Sequence, residues 1–202
     1  MIARRILARG AAEEVTSVLC EAFAEYPVMR YVLGPDGDSP DRLRTLIGFF
    51  VAARAIPDHP VLGVSVGPEL AGVALCTPPK SSGAPAAAEL EAARERTWDA
   101  LGADARARYE ECGRAWETVA VAEPNLHLNM IGVAPRYHGR GLARVLLDAV
   151  HGLSREAPDS RGVTLTTESP ENVELYGHFG YRHVGHRGIA PELETWGFFR
   201  PD

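Results

Sequence analysis

Cysteine is scarce in this chain, and the little there is follows no pattern. Cys20, Cys76 and Cys112 are the three present, odd in number and widely spaced. That excludes a disulfide framework and any cysteine-based metal motif, and it favours a reducing compartment. Each reads as a small core residue rather than a reactive thiol. Long apolar runs are missing too. No stretch approaches the ~20 residues that a membrane-spanning helix needs. Arg4 and Arg5 resemble the basic start of a secretory leader, but Ala3 to Ala12 holds no apolar run to complete one. The expected location is therefore the cytoplasm, with no membrane partner. Positive charge is in deficit: 21 Lys and Arg against 27 Asp and Glu leave a net charge of −6. This argues against nucleic-acid binding. There is no internal repeat. His151, His178, His183 and His186 are spaced like no common ligand set, so no metal is expected.

What is present is an ordinary globular composition: 202 residues, 46% hydrophobic and 24% charged. One domain over residues 1–202 is the expectation. Residues 2 to 7 read as a first strand. Ala11 to Ala24 reads as a helix, with Val15, Val18, Leu19, Ala22 and Phe23 on one face and Glu13 and Glu14 in its first turn. A short helical turn over 27–33 precedes the loop Gly34-Pro35-Asp36-Gly37. Ser39-Pro40 starts another helix, with Ser39 as N-cap, and Pro57 ends it. Val61 to Val66 and Leu70 to Thr77 form an antiparallel hairpin around Gly67-Pro68-Glu69. Lys80 to Ala88 reads as a connector. Two helices follow, over 89–101 and 104–119, the second with a stripe of Ala105, Tyr109, Cys112, Trp116 and Val119. Gly162 to Glu168 is a β-branched strand. Ser169-Pro170-Glu171 opens a helix to about Phe179, with Gly180 as its stop. Tyr181 to Ile189 and Leu193 to Arg200 read as a terminal strand pair.

The most informative stretch is 126–153, LHLNMIGVAPRYHGRGLARVLLDAVHGL. Leu126, Leu128 and Met130 alternate with His127 and Asn129, as in a strand, and Pro135 ends it. Arg136-Tyr137-His138-Gly139-Arg140-Gly141 forms a turn. A helix follows, with Leu142, Val145, Leu146, Ala149, Val150 and Leu153 on one stripe. A strand that feeds a Gly-rich turn and a helix start is a device for binding phosphate. The first helical turn has unpartnered N–H groups and the positive end of the helix dipole. Gly139 and Gly141 let an anion approach the backbone, and Arg136, Arg140 and Arg144 add positive charge. A pyrophosphate is the expected ligand. A P-loop would require Lys then Ser or Thr after the last Gly, where Leu142-Ala143 stands. A dinucleotide fingerprint would require Gly or Ala at 144, where Arg144 stands.

The pattern that fits is Arg/Gln-x-x-Gly-x-Gly/Ala. With the preceding Ile131-Gly132-Val133-Ala134-Pro135, it resembles the acyl-CoA signature of the GNAT superfamily of N-acyltransferases. The resemblance spans nearly the whole chain. Residues 60–79 and 124–200 carry it, and residues 1–57 match in outline. It implies an α/β (α+β) fold with a mixed, mostly antiparallel sheet of six to seven strands flanked by helices. The helices over 80–119 would then be an insertion between the third and fourth strands, near the acceptor side, where Tyr109 and Trp116 could line a pocket. The resemblance further implies acetyl-CoA as co-substrate. The main chain of Met130, Ile131, Gly132 and Val133 would pair with its pantetheine. Arg136, Tyr137, His138, Gly139, Arg140, Gly141, Leu142 and Ala143 would hold its pyrophosphate. Asn172 and Tyr176, four apart on one helical face, match the family's Asn-x-x-x-Tyr, which implies Asn172 against the cofactor and Tyr176 near its sulfur as proton donor.

Acyl transfer from a thioester to an amine also needs a base, because an alkylamine of pKa ~10 is almost wholly protonated at neutral pH. Many family members use a Glu on the fourth strand. This strand offers His127 and Asn129 instead. His127 titrates in a useful range, and Glu168, Glu123 and the C-terminal carboxylate of Asp202 are further candidates. The leading expectation is an N-acetyltransferase acting on a small-molecule amine, as monomer or homodimer. The alternatives are a protein or peptide N-acetyltransferase, a non-catalytic acyl-CoA sensor, and a dinucleotide oxidoreductase, the last disfavoured by Arg144.

Overall fold

The structure is a computed structural model that describes residues 2–79 and 84–202. Its strands are Ile2–Ile6 (β1), Val61–Val66 (β2), Glu69–Thr77 (β3), Leu126–Val133 (β4), Gly162–Thr167 (β5), Arg182–Ala190 (β6) and Leu193–Pro201 (β7). Its helices are Ala12–Phe23 (α1), Pro27–Leu33 (α2), Pro40–Ala55 (α3), Ala84–Leu101 (α4), Ala103–Thr118 (α5), Leu142–Glu156 (α6) and Glu171–His178 (α7). The strands make one seven-stranded sheet in the order β1-β2-β3-β4-β5-β7-β6. The β4–β5 pair is parallel and every other pair is antiparallel. This is the mixed, mostly antiparallel sheet that the sequence implies, with α4 and α5 inserted between the third and fourth strands.

Helices cover both faces of the sheet, so β3 is buried along nearly its whole length. One apolar cluster joins α1 to α5 with Leu70, Val73, Leu75 and Met130. A second, on the other face, joins Leu142, Leu146, Leu147 and Val150 of α6 to Ala71, Ala74, Cys76, Leu126 and Leu128. Full burial of a Leu side chain contributes roughly 1.5–3 kcal/mol, so the leucines of α6 alone anchor that helix firmly. At Gly132, α1 packs so close to β4 that an added Cβ would lie 2.7 Å from the Ala22 Cβ.

Burial alternates along β4 as the sequence implies, but the buried residues do not all share one face. Cys76 pairs with Leu128 and Leu75 with Met130, which leaves Asn129 as an extra residue on β4. A bulge of this kind re-aims the strand. Leu126 and Leu128 face the α6 cluster, whereas beyond the bulge Ile131 and Val133 face it and Met130 turns to the opposite side.

Three other expectations are corrected. Ser39 stands at the start of α3 but makes no side-chain capping bond. Pro170, not Ser169, is the residue that precedes α7. Of the supposed connector at 80–88, residues 80–83 lie outside the described residues, and from Ala84 onward the chain is already helical, because the Ala-rich run 86–88 outweighs the Pro and Gly before it. Among the described residues, no helix is long and apolar enough to cross a membrane.

Candidate active site

The parallel seam between β4 and β5 is short. Leu126 pairs with Val163 and His127 with Thr164, and the pairing stops there. Over 128–133, β4 is laddered only to β3. The strands part, and an unpaired main-chain edge faces the opening. Such an edge accepts an extended ligand as a further strand would be accepted. Met130 and Ile131 line the cavity that results.

At the far end of β4 the chain passes Pro135–Tyr137, one 3-10 turn, and enters α6 through Gly139 and Gly141. Both glycines are left-handed, at φ +74° and +73°, which L side chains adopt at a cost of roughly 1–2 kcal/mol. The first intrahelical bond here runs from Val145 N–H to Gly141 C=O at 3.2 Å, and no side chain caps the helix. The amides of 142–144 are thus available to an anion. Open space lies beyond both glycine Cα atoms. His138 Nε2 pins the turn to the Val133 carbonyl at 3.0 Å. The three arginines are not equivalent. Arg136 is ion-paired with Glu21 and Glu69, so its charge is spent away from the turn. Arg140 lies over the Tyr137 ring at 5.4 Å and Arg144 over Phe179 at 4.9 Å. Tyr137 donates to Glu69 at 2.5 Å. Leu142 is buried beneath the turn, while Ala143 is exposed on it.

The cavity has a volume of about 450 Å³. Helices α1 and α2 contribute Phe23 and Met29, and Tyr26 comes from the junction between them. Phe50 and Arg54 come from α3, and Tyr109 and Trp116 from the inserted α5. The rings of Phe50, Tyr109 and Trp116 follow one another at 5.8 Å centroid spacing, so the stripe on α5 serves packing and lining together. Glu168, Asn172 and Tyr176 complete the lining, with Glu168 in direct contact with Trp116.

Glu168 is buried. Its Oε1 accepts from Trp116 Nε1 at 2.9 Å and from Thr195 Oγ1 at 2.8 Å. Burial raises its carboxyl pKa, and these donors offset only part of that rise. Tyr176 is buried against Tyr181 and Phe198. Burial first, and the charge of Glu168 second, push its phenol well above the usual range. Asn172 donates to Thr167 Oγ1 at 3.1 Å. That oxygen lies 2.9 Å from Tyr26 Oη, which in turn accepts from the Glu168 amide at 3.0 Å. This network fixes the end of β5 and the start of α7 as one unit.

His127 also lines the cavity, but its surroundings suppress its basicity. Its Nδ1 lies 2.9 Å from Thr164 Oγ1. Burial, with Arg54 adding to it, lowers the imidazole to about 4. The ring is neutral at pH 7 and binds protons poorly. Asn129 lines the cavity as the bulge residue, with Oδ1 accepting from Thr77 at 2.8 Å. The other two base candidates lie elsewhere. Glu123 is exposed outside the cavity. The Asp202 side chain accepts from Ser154 of α6 at 2.8 Å, on the other side of the sheet. Sequence reasoning missed Tyr26 and Arg54. An aromatic after a helix and an arginine near a helix end look like surface residues, and the spacing of Phe50 to Arg54, four apart, was the only signal that they share a face. Among the described residues, no group of three or more His, Cys, Asp or Glu is arranged to hold a metal ion.

Residues 92–193 match the family model described as "Acetyltransferase (GNAT) domain", and the chain belongs to that family of acyl-CoA-dependent acetyltransferases. Solved structures agree in fold. The Corynebacterium glutamicum histone acetyltransferase HPA2 and related acetyltransferase superposes with a TM-score of 0.69 at 20% identity, covering 100% of this chain and 97% of the other. A Drosophila melanogaster polyamine N-acetyltransferase gives 0.68 at 16% identity, with 98% of each chain covered. The yncA protein of Salmonella typhimurium, solved with its cofactor acetyl-CoA, gives 0.58 at 13% identity, covering 99% and 93%. Acetyl-CoA is the co-substrate. The open strand edge, the uncapped helix start and the space beyond Gly139 and Gly141 fit it.

Proposed function

We propose that this chain transfers the acetyl group of acetyl-CoA directly to the primary amine of a small molecule. The observation that carries the reading is convergence. The unpaired edge of β4, the phenol of Tyr176 and the carboxylate of Glu168 all meet in one cavity. In the reaction the amine nitrogen bonds to the thioester carbonyl carbon, the carbon–sulfur bond breaks, and CoA leaves as its thiol. Residues 139–143 would hold the pyrophosphate through main-chain amides, and 130–133 would align the pantetheine. Glu168 is our base. Its raised pKa makes its carboxylate a stronger proton acceptor than an exposed one, and Trp116 and Thr195 keep it fixed. Tyr176 holds its proton firmly, so its hydroxyl serves as a donor to sulfur as negative charge develops there. Asn172 positions this end of the site through Thr167.

The cavity walls from α3 and α5 favour a small acceptor over the tail of a folded protein. The three cysteines are free, and burial pushes Cys76 and Cys112 to about 12, which keeps both thiols protonated and unreactive. A thiol-release assay across an amine panel tests the reading. Tyr176→Phe should lower kcat by about 10²-fold and leave the affinity for acetyl-CoA intact. An unchanged kcat would remove Tyr176 from the mechanism, and failure of the wild type to bind acetyl-CoA would sink the proposal whole.

A further inference from the structure

Two charged side chains of the cavity lining, Arg54 and Glu117, take no part in the reaction described above; Glu117 is exposed to solvent, and Arg54 is the one with a shielded, unpartnered atom. Arg54 lies near the end of α3 and lines the cavity. Its Nε is shielded from solvent and meets no acceptor. No ion pair involves it among the described residues, in contrast to Arg44 and Arg136. The groups that feel its charge are Tyr109, Cys76, His59 and His127. The first two keep their protons, both pushed up by burial, and the histidines are held down. All four are neutral at pH 7. Glu168 stands elsewhere in the cavity, bonded to Trp116 and Thr195. A guanidinium that is desolvated and uncompensated destabilises the folded protein unless a bound anion completes it.

That anion is not the pyrophosphate. Arg54 acts on His127, at the first end of β4, while the phosphate turn follows Val133 at the other end. Six residues of strand separate them by roughly 20 Å. The thioester would lie between, beside Met130 and Ile131. A negative group next to Arg54 therefore belongs to the acceptor.

We infer that the acceptor is an amino acid, with its carboxylate received by the Arg54 guanidinium while its amine is presented to Glu168 and Tyr176. Phe50, Tyr109 and Trp116 would cover the apolar body between the two ends. This rests on the acetyl-transfer reading and narrows its substrate. A guanidinium offers a carboxylate two parallel N–H donors, which sets orientation as well as affinity.

The test compares amino acids with the amines left by their decarboxylation: phenylalanine with phenethylamine, and lysine with cadaverine. Calorimetric titration in the presence of CoA measures binding, and thiol release measures turnover. For at least one pair, the wild type should bind and acetylate the carboxylate-bearing partner tenfold or more better. Arg54→Gln should erase that preference and leave acetyl-CoA affinity unchanged. Arg54→Lys should restore part of it. Thermal melting guards against a folding artefact, since loss of an unpaired, partly buried charge should hold or raise Tm. Equal treatment of both partners by the wild type, or an Arg54→Gln variant that keeps the preference, would overturn the inference. Carboxylate binding that depends on Arg54, without turnover of any acceptor, would support the anion site and sink the transfer reading alone.

Discussion

Acidification should weaken the fold through His127, and by an amount that can be worked out. The imidazole is partly buried, its Nδ1 lies 2.9 Å from Thr164 Oγ1, and Arg54 is near enough to disfavour its cation. It is displaced from 6.5 to about 4. At ~1.4 kcal/mol per pH unit this comes to about 3 kcal/mol. The sign follows from which state holds the proton. Between pH 6.5 and 4 the unfolded chain is protonated at this residue and the folded chain is not, so stability falls as pH falls through that window and levels off below it. His151, buried beside Tyr181, is lowered to about 4 as well and adds in the same direction. A comparison of wild type with His127→Asn therefore isolates one of the two. Urea denaturation followed by circular dichroism at pH 7, 5.5 and 4 should give a steeper loss in the wild type, by up to about 3 kcal/mol over the range. Parallel curves for the two proteins would refute the burial argument. The same variant bears on catalysis. An imidazole that titrates near 4 is a weak proton acceptor at neutral pH and contributes no ionisation near 6.5, so kcat/KM should keep its dependence on pH in His127→Asn. Disappearance of a limb near 6.5 would return His127 to the role of base.

Gly141→Glu should abolish acetyl-CoA binding in a calorimetric titration, because its side chain would fill the space where the pyrophosphate is expected. The fold should survive, at a cost of roughly 1–2 kcal/mol for a non-glycine residue at φ +73°. Glu168→Gln should lower kcat sharply while raising stability in alkaline buffer. The native carboxyl has a raised pKa, so its favourable contribution is complete below its ordinary value of 4.5 and is lost as pH rises through the folded value. Melting curves of the two proteins should converge near pH 4 and separate at pH 8, and a variant less stable at pH 8 would contradict this.

The parts of the fold legible in the sequence are those fixed by local chemistry. The strand, turn and helix over 126–153 could be read because Pro135, Gly139 and Gly141 act within a few residues of themselves. The hairpin around Gly67 is of the same kind. The bulge at Asn129 could not be read, because an extra residue on β4 has meaning only against the register of β3. The candidate acids divide for a similar reason. Glu168, Glu123 and Asp202 look alike along the chain, and only tertiary packing buries the first beneath Trp116 and leaves the others outside. Arg54 was invisible because its significance is an absence of partners, which no local pattern records. Arg136, by contrast, looked like a phosphate ligand and is tied to Glu21 and Glu69 by residues distant in sequence.

The short seam between β4 and β5 has a mechanical meaning. Four strands lie on one side of it and three on the other, and the ladder between these halves is confined to Leu126–Val163 and His127–Thr164, with one more bond at its base from Arg161 N–H to Pro124 C=O at 2.8 Å. Pantetheine seated along 130–133 would act as mortar between the two blocks. Loading then does more than deliver a reagent. It should stiffen the joint on which the acceptor cavity is built, damping amide exchange along both β4 and β5, and at a hundredfold excess over Kd it would add about 2.7 kcal/mol to the fold. An enzyme assembled in this way would take up its two substrates in a fixed order, acetyl-CoA first, because the wall against which the acceptor rests is finished only when the thioester is in place.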